Sequence, residues 1–297
     1  MLGGGGKMGP KTRESSVSSW ALVVDVSLCI NCRNCVLATK DEYSGNAFPG
    51  YSAPHPPEGL ETIRIERHVR GEGSLVDVTY IPKTCNHCDN APCVKAASDG
   101  AIYKRPDGVV VIDPVKSRGR RDLVRTCPYD MIEWNEQEQV PQNWNFDAHL
   151  LDAGWKEPRC TQACPTKAIR ALNVADAQLA EMVEKEHLSV IHPEFGTKPR
   201  VFYKNLDDAL SHLVAGNVCE DVGGGQLRNL EGAEVILRDA SDGSERKTRT
   251  DHFGDFRFSG LIAPSSRIEL RVRKDGTEKV LATRDRAGSV NLGTLLF

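Results

Sequence analysis

The spacing of the cysteines constrains this chain more than any other feature of its sequence. Nine of its ten cysteines lie between Ser19 and Ala175, most of them in groups with only two to four residues between neighbours. Cysteines this close rarely bridge one another, whereas metal ligation uses such spacing. Disulfides are the alternative, but the chain is long and shows no apolar export segment or twin arginine. We therefore expect metal-bound loops that replace part of an apolar core.

The first group, "CINCRNC", places Cys29, Cys32 and Cys35 at the C-x2-C-x2-C spacing. Three thiolates at this spacing wrap one loop around three corners of an Fe4S4 cube, and a distant cysteine followed by proline supplies the fourth corner. In the two-cluster ferredoxin pattern, a further cysteine four residues on serves the other cluster. Thr39 occupies that position here, so the first group is one ligand short.

The second group, "CNHCDNAPC", is also one ligand short, and two later cysteines are each followed by proline. These two are Cys127 and Cys164. Nested pairing assigns the outer one, Cys164, to the first group and the inner one, Cys127, to the second, so each group gains one remote ligand. Zinc is the alternative, but it favours four-cysteine knuckles with a C-x2-C pair in each half. We predict two [4Fe–4S] clusters in this chain, bound by Cys29, Cys32, Cys35 and Cys164 and by Cys85, Cys88, Cys93 and Cys127.

The chain divides into four zones by composition. We expect a flexible tail at 1–19, a ferredoxin-like iron–sulfur domain at 20–175, a helical connector at 176–215 and a β-domain at 216–297. In the connector, "DAQLAEMVEKEH" and "NLDDALSHLVAG" predict helices, the first with Asp176 as its N-cap and the second ending at Gly216. "TKPRVFYKNL", between them, alternates apolar and polar residues and predicts a short strand.

The last zone alternates short β-type runs with turn signals such as "SDGS" and "KDGT". About seven short strands predict a β-sandwich or small barrel, and "TDHFGDFRFSGL" resembles transthyretin-like modules. The overall prediction is an α+β chain, with a tandem ferredoxin-like 4Fe–4S domain followed by a seven-stranded, transthyretin-like β-domain. We interpret Cys219, alone in this zone, as a buried small residue.

The remaining sequence offers no catalytic site. Lys and Arg number 38 against 41 Asp and Glu, which argues against a nucleic-acid partner. No apolar run is long enough to span a membrane, and we expect a cytoplasmic protein. No nucleophile–base set or phosphate-binding loop is visible. We expect His149 to be structural. For His87, between two predicted ligands, the alternatives are a hydrogen bond to a cluster sulfur and a solvent-facing position, and we favour the second.

Longer matches identify a family. The text "VVDVSLCINCRNC", "CNHCDNAPCV", "TCPYDMIEWNEQE", "GTKPRVFYKNL" and "EGAEVILRD" resembles the iron–sulfur small (beta) subunits of the dimethyl sulfoxide reductase class of molybdenum enzymes. It is most similar to the branch with pyrogallol–phloroglucinol transhydroxylase and resorcinol hydroxylase. The resemblance implies a large catalytic partner subunit that carries molybdenum or tungsten with bis-pterin guanine dinucleotide. It also implies polyhydroxybenzene substrates, no catalytic site in this chain and, as a further partner, a soluble electron acceptor.

Two other roles stay open from the sequence. The chain fits an electron-transfer subunit of another oxidoreductase of the class, and it fits a mainly structural subunit in which clusters hold the fold together.

The sequence departs from this branch at one place. The resemblance implies a third cluster that includes Cys160, but the matching positions hold Thr39, Trp144 and Asp147. Trp cannot ligate iron, and Asp147 with Cys160 would not hold a cube. We therefore expect two clusters, with Cys160 as a buried free thiol and Trp144 filling part of the vacated volume.

Overall fold

The computed structural model describes residues 18–73, 75–240, 242–261 and 265–297, apart from the side chain at position 75. The flexible tail expected at residues 1–19 lies almost wholly outside the described residues.

The first two thirds of the chain consist of short strands and short helices packed around one apolar core. The strands are β1 (Ser19–Asp25), β2 (Ile63–Glu72), β3 (Leu75–Thr84), β4 (Ile102–Lys104), β5 (Val110–Ile112), β6 (Glu133–Asn135), β7 (Val140–Gln142), β8 (Ile169–Val174) and β9 (Val201–Lys204). The helices are α1 (Asn34–Tyr43), α2 (Pro92–Ala96), α3 (Ala148–Asp152), α4 (Arg159–Gln162), α5 (Asp176–Lys185) and α6 (Leu206–Leu210).

Strand β1 is the centre of this core. Its residues from Trp20 to Val24 are all buried, and an apolar run of this length suits a strand that is covered on both faces. It pairs antiparallel with β8 and parallel with β9. The strand predicted in "TKPRVFYKNL" is therefore confirmed as β9, and its buried Tyr203 joins the connector to the iron–sulfur region.

Three two-stranded hairpins, β2–β3, β4–β5 and β6–β7, surround the cysteine loops. β3 ends at Thr84, directly before Cys85, and α2 begins at Pro92, directly before Cys93. Proline suits the first helical position because its missing N–H has no partner there. Regular elements thus fix the ends of the second cysteine group.

The connector differs from its prediction in two details. Ala175, not Asp176, is the N-cap of α5, and Asp176 instead pairs with Arg200 at 2.8 Å. The second predicted helix is also wrong beyond Leu210, since a strand begins at His212. That strand buries Val214 between two neighbouring strands, so tertiary pairing overrides the helical pattern of the sequence.

The C-terminal module has two four-stranded sheets among the described residues. Its strands are β10 (His212–Asp221), β11 (Leu227–Asn229), β12 (Glu234–Asp239), β13 (Glu245–Arg249), β14 (Asp255–Leu261), β15 (Ser265–Lys274), β16 (Thr277–Ala287) and β17 (Val290–Leu296). β12 to β17 confirm the short β-type runs predicted here, whereas β10 and β11 were not predicted, so the described residues form eight strands where about seven were expected. Both sheets contribute to one apolar cluster. The barrel alternative is wrong, because the strands divide between two separate sheets.

Hairpin β2–β3 joins the two cores. Near its tip, the buried Arg70 donates to the carbonyl of Ser211, 3.0 Å away, just before β10. Asp77 on the partner strand accepts from Arg257 of β14 at 2.7 Å. The hairpin thus reaches from the cysteine loops to the C-terminal module.

Candidate metal centres

The first cysteine group lies on a tightly curved loop. Cys29 follows a 3₁₀ turn, Val26–Leu28, and Cys35 is the second residue of α1. Between them, Asn31 and Arg33 have positive φ angles of 55° and 59°. Non-glycine residues adopt this left-handed conformation at a cost, and here it bends the chain so that the intervening cysteine lies on the same concave side.

The structure brings Cys164 to this loop. The pKa of the Cys35 thiol is raised to about 11, mainly by burial and in smaller part by negative charge on Cys29, Cys164 and Cys32. The backbone N–H of Val36 points at the Cys35 sulfur and acts in the opposite direction. The first predicted ligand set is thus gathered in one place.

This first quartet lies at the surface, in an apolar patch. Cys32 is exposed, and so are Leu28, Ile30 and Leu37, at 44%, 63% and 60%. Large apolar side chains grouped this way mark interaction surfaces in soluble proteins. We call Leu28, Ile30 and Leu37 the first-quartet patch.

The second quartet is deeper in the protein. Cys85, Cys88 and Cys93 are buried and Cys127 is half-buried. All four line one cavity, whose other walls are mainly apolar and include Ala91, Pro92, Ile102, Val110, Ile112 and Ile132. The pKa of the Cys93 thiol is raised to about 12, mainly by burial and in smaller part by the charges of Cys127 and Cys88.

Amide groups converge on the sulfur of Cys127. The N–H of Met131 donates to Cys127 Sγ at 3.5 Å. The amides of Tyr129 and Asp130 also act on this thiol and lower its pKa, although burial raises it more. Amide donors to cysteine sulfurs tune iron–sulfur clusters and stabilise the anionic thiolate, so an all-thiol set with such donors fits the predicted group.

Within the described ranges, no three His, Cys, Asp or Glu side chains converge on a point that one metal ion could occupy. A single zinc ion needs its sulfur ligands at about 2.3 Å, whereas a cube spreads four ligands around a larger body.

The residues at the position of the third cluster that the family resemblance implies have other partners. Trp144 is fully buried, and its Nε1 donates to Asp147 Oδ1 at 3.0 Å. Thr39 donates its hydroxyl to the carbonyl of Cys35, 3.0 Å away. Cys160 is fully buried, as expected. We call Thr39, Trp144, Asp147 and Cys160 the filled site, because side chains occupy it.

Aromatic rings fill the volume around this site. Trp144 stacks on Phe146, with ring centroids 4.8 Å apart, and Phe146 contacts Trp20 at 5.5 Å. His87, from the second cysteine loop, meets Trp144 edge-on at 5.7 Å. The filled site therefore extends from the second quartet towards the first, where the charge of Cys35 acts on Cys160.

Comparison with known proteins supports an iron–sulfur role. The family model of the 4Fe-4S dicluster domain matches residues 76–174. The pyrogallol hydroxytransferase small subunit of Pelobacter acidigallici is 38% identical over 281 residues, which cover 93% of this chain and 98% of that protein. The chain belongs to the family of pyrogallol hydroxytransferase small subunits.

More distant relatives are subunits of other oxidoreductases. A tetrathionate reductase subunit of Salmonella typhimurium is 33% identical over 64% of this chain and 74% of that protein. A sulfite dehydrogenase subunit of Allochromatium vinosum is 32% identical over 62% of this chain and 81% of that protein. The pyrogallol hydroxytransferase small subunit family thus lies within a wider group of iron–sulfur subunits of multisubunit enzymes.

Solved structures add little. The shaft pilin SpaA of Lactobacillus rhamnosus GG aligns with a TM-score of 0.22 and 14% identity, over 32% of this chain and 51% of that protein. A likeness this weak carries no argument. In the described part of the chain, no helix is long and apolar enough to cross a membrane.

For this member of the family, the prediction for His87 is wrong. His87 is only 2% exposed, and its Nδ1 accepts the N–H of Val110 at 3.0 Å. Burial lowers its pKa to about 3. Its φ of 45° turns the loop between Cys85 and Cys88 inward onto β5, which a spacing pattern cannot show.

Sequence reasoning also missed two polar side chains at the second quartet. Asn143 hydrogen-bonds to the sulfur of Cys85, and Thr197 to that of Cys88. Both residues are more than 50 positions from their cysteines, and neither lies in a cysteine motif. Cys219 is buried as expected, and its thiol donates to Asn217 Oδ1 at 2.9 Å.

Proposed function

We propose that this chain is the iron–sulfur electron-transfer subunit of a heteromeric molybdenum or tungsten bis-pterin enzyme that hydroxylates or transhydroxylates polyhydroxybenzenes. The chain binds two [4Fe–4S] clusters, the first through Cys29, Cys32, Cys35 and Cys164 and the second through Cys85, Cys88, Cys93 and Cys127. The metal–pterin cofactor and the substrate site belong to the large partner subunit. When bound, such clusters accept and release one electron at a time.

One observation carries this proposal. Each cysteine triplet is brought together with the remote Cys-Pro cysteine that nested pairing assigns to it. The chain supplies all-thiol environments with amide donors to sulfur, which fit a thiolate-ligated cluster. The high thiol pKa values mean that assembly must release protons, as metal binding to thiols does.

Iron and acid-labile sulfide per chain test the cluster count. In anaerobically purified complex, after the partner's own metal is subtracted, we expect about eight iron atoms and as much sulfide. About twelve would mean that the filled site holds a third cluster, and the ligand pairing would need revision.

Matched cysteine variants test the ligand assignment. Cys127→Ala should lose about four iron atoms per chain, since it removes one corner of the second cluster. Cys160→Ala and Cys219→Ala remove equally buried thiols and should keep the full iron content. Equal iron in all three variants, or loss in Cys160→Ala, would contradict the assignment.

We propose that the large subunit docks at the first-quartet patch. Ile30 and Leu37 are exposed beside Cys32, so a partner there would cover the patch and lie near the first cluster. Ile30→Glu should weaken subunit association at least tenfold, because it places a charge in an apolar interface. Val280→Glu is the control, since Val280 is equally exposed but lies on β16. If both variants bind the large subunit equally well, the interface does not lie at the first-quartet patch.

The filled site favours transhydroxylation over net oxidation. Transhydroxylation has no net redox change, whereas hydroxylation with water must export two electrons per turnover. We expect no third cluster at this site, and the aromatic side chains there would leave a long electron path from the first quartet to the second. Turnover without an added electron acceptor would support the transhydroxylase. Strict dependence on an acceptor would support a hydroxylase that passes its electrons to a soluble acceptor.

Two other functions are separable by experiment. In a mainly structural subunit, substrate would not reduce the clusters of the assembled complex. In an electron-transfer subunit for another oxidoreductase of the class, a sulfur compound or oxyanion would exchange electrons with the clusters and polyhydroxybenzenes would not. Spectra recorded after adding each compound class to the complex distinguish these outcomes.

We also propose the domain division given above, with a tandem ferredoxin-like domain at 20–175, a connector at 176–215 and a transthyretin-like module at 216–297. We move the last boundary to His212, because β10 and its buried Val214 belong to the C-terminal core. The separate apolar clusters of the two ends support the division. Because a strand runs from His212 to Asp221, protease cuts are expected before His212. We propose a cytoplasmic location, which fractionation of cells would test.

A further inference from the structure

Asp147 lies at the centre of the filled site, between the two quartets. It is fully buried, and its carboxyl group has three hydrogen-bond neighbours. Trp144 Nε1 donates to Oδ1 at 3.0 Å, and the backbone N–H of Arg159 donates to Oδ2 at 2.8 Å. The third neighbour is Tyr43, whose hydroxyl oxygen lies 2.9 Å from Oδ1.

The number of protons that Tyr43 can donate decides whether the carboxyl group of Asp147 is protonated. The hydroxyl of Tyr43 also lies 2.5 Å from Asn145 Oδ1, and one hydroxyl has one proton to donate. The amide of Asn145 cannot be turned around, because its Nδ2 donates to the carbonyl of Tyr51 at 3.0 Å. Tyr43 therefore donates to Asn145, and its contact with Asp147 needs a proton from the carboxyl group.

The electrostatic surroundings agree with this count. Within the described residues, no Lys or Arg side chain is bonded to Asp147. Arg159 offers only its backbone, since its guanidinium pairs with Glu42 and Asp41. A buried carboxyl group without a paired cation favours its neutral form.

The titratable groups that face Asp147 come from three helices. Tyr43 and Glu42 belong to α1, His149 belongs to α3, and Cys160 belongs to α4. His149 favours the anion, but its ring already pairs with Glu42 Oε1 at 2.9 Å. Cys160 is buried beside Asp147, and burial is the main cause that raises the pKa of its thiol.

We infer that Asp147 is a neutral carboxylic acid in the folded protein, with its proton on Oδ1 donated to Tyr43, so that the filled site is a buried proton-binding site. This charge state has a consequence for the first quartet. A neutral group does not oppose the extra negative charge of a reduced cluster, whereas a carboxylate would lower its reduction potential.

Infrared spectroscopy of the whole complex tests the inference. A protonated carboxyl group has a C=O stretch at higher frequency than a carboxylate, and labelling aspartate with ¹³C identifies the band. We expect an aspartic-acid band that disappears in Asp147→Asn. In Tyr43→Phe it should remain and move to higher frequency, because the hydrogen bond donated by the acid is lost. Asp152→Asn is the matched control and should leave the band unchanged, since Asp152 pairs with Arg105 as an anion.

The reduction potential of the first cluster gives a second readout, which rests on the proposed function. Asp147→Asn exchanges one neutral group for another, so the potential at neutral pH should stay within the experimental scatter of the unsubstituted complex. A marked rise in potential would show that a negative charge had been removed.

Either that rise or the absence of an aspartic-acid band would overturn the inference. The infrared band can be scored whether or not clusters are present. Absence of iron would defeat the proposed function and leave this result standing.

Discussion

Trp144→Ala should be among the most destabilising single substitutions in the iron–sulfur region. The indole is fully buried, stacks on Phe146 and meets His87, and truncation would leave a cavity between the quartets. Large-to-small changes of a buried Trp cost about 3–5 kcal/mol. Loss of the hydrogen bond from Trp144 Nε1 adds to this cost, because the buried carboxyl group of Asp147 would lose one of its donors.

Thermal unfolding of the anaerobic complex, followed by cluster absorbance, measures this effect. At about 2–4 °C per kcal/mol for a chain of this size, the midpoint should fall by roughly 10 °C. Trp144→Phe keeps most of the packing and loses the N–H, so a decrease of a few degrees is expected. Trp155→Ala is the control, because Trp155 is 41% exposed and its loss should cost at most about 0.5 kcal/mol. Similar midpoints for both alanine variants would refute the view that Trp144 fills a vacated cluster volume.

Two further predictions concern stability. Burial lowers the pKa of His55 to about 4. Between about pH 6.5 and pH 4, protons therefore bind to this histidine in the unfolded chain but not in the folded one. At pH 5 this difference lowers the free energy of unfolding by about 2 kcal/mol. His55→Gln should flatten the loss of stability between pH 6.5 and pH 4 in unfolding titrations, and an unchanged slope would contradict the assigned pKa. Gly254→Ala should cost about 1–3 kcal/mol more than Gly293→Ala in urea unfolding. Both glycines have positive φ, but only at Gly254 would the added Cβ come within 2.5 Å of the carbonyl of Val218, so equal losses would argue against that crowding.

The sequence predicted those parts of the structure that depend on local pattern. The strands from β12 onwards follow from alternation and from turn residues, as at Asp275 and Gly276, which both take the positive φ that a tight hairpin turn requires. The grouping of cysteines also follows from spacing, because a loop that ligates a cube has few workable lengths.

Features that depend on contacts across the chain were not predictable in this way. The strand from His212 reads as the end of a helix until β14 and β17 are seen beside it. Asn143 and Thr197 reach the cysteine sulfurs only because the fold brings them there. The inward turn of His87 likewise depends on β5, which lies more than twenty residues further along the chain.

Hairpin β2–β3 also has a mechanical consequence. Its ten-residue strands run for about 30 Å, one end bonded to the C-terminal module and the other leading directly into Cys85. Displacement of the module would be transmitted along this stiff pair of strands to the second quartet. Near its tip the same hairpin also borders the first quartet, because Cys29 shares one surface pocket with Arg70 and Asp77, so strain applied at the C-terminus would reach both halves of the metal-binding region.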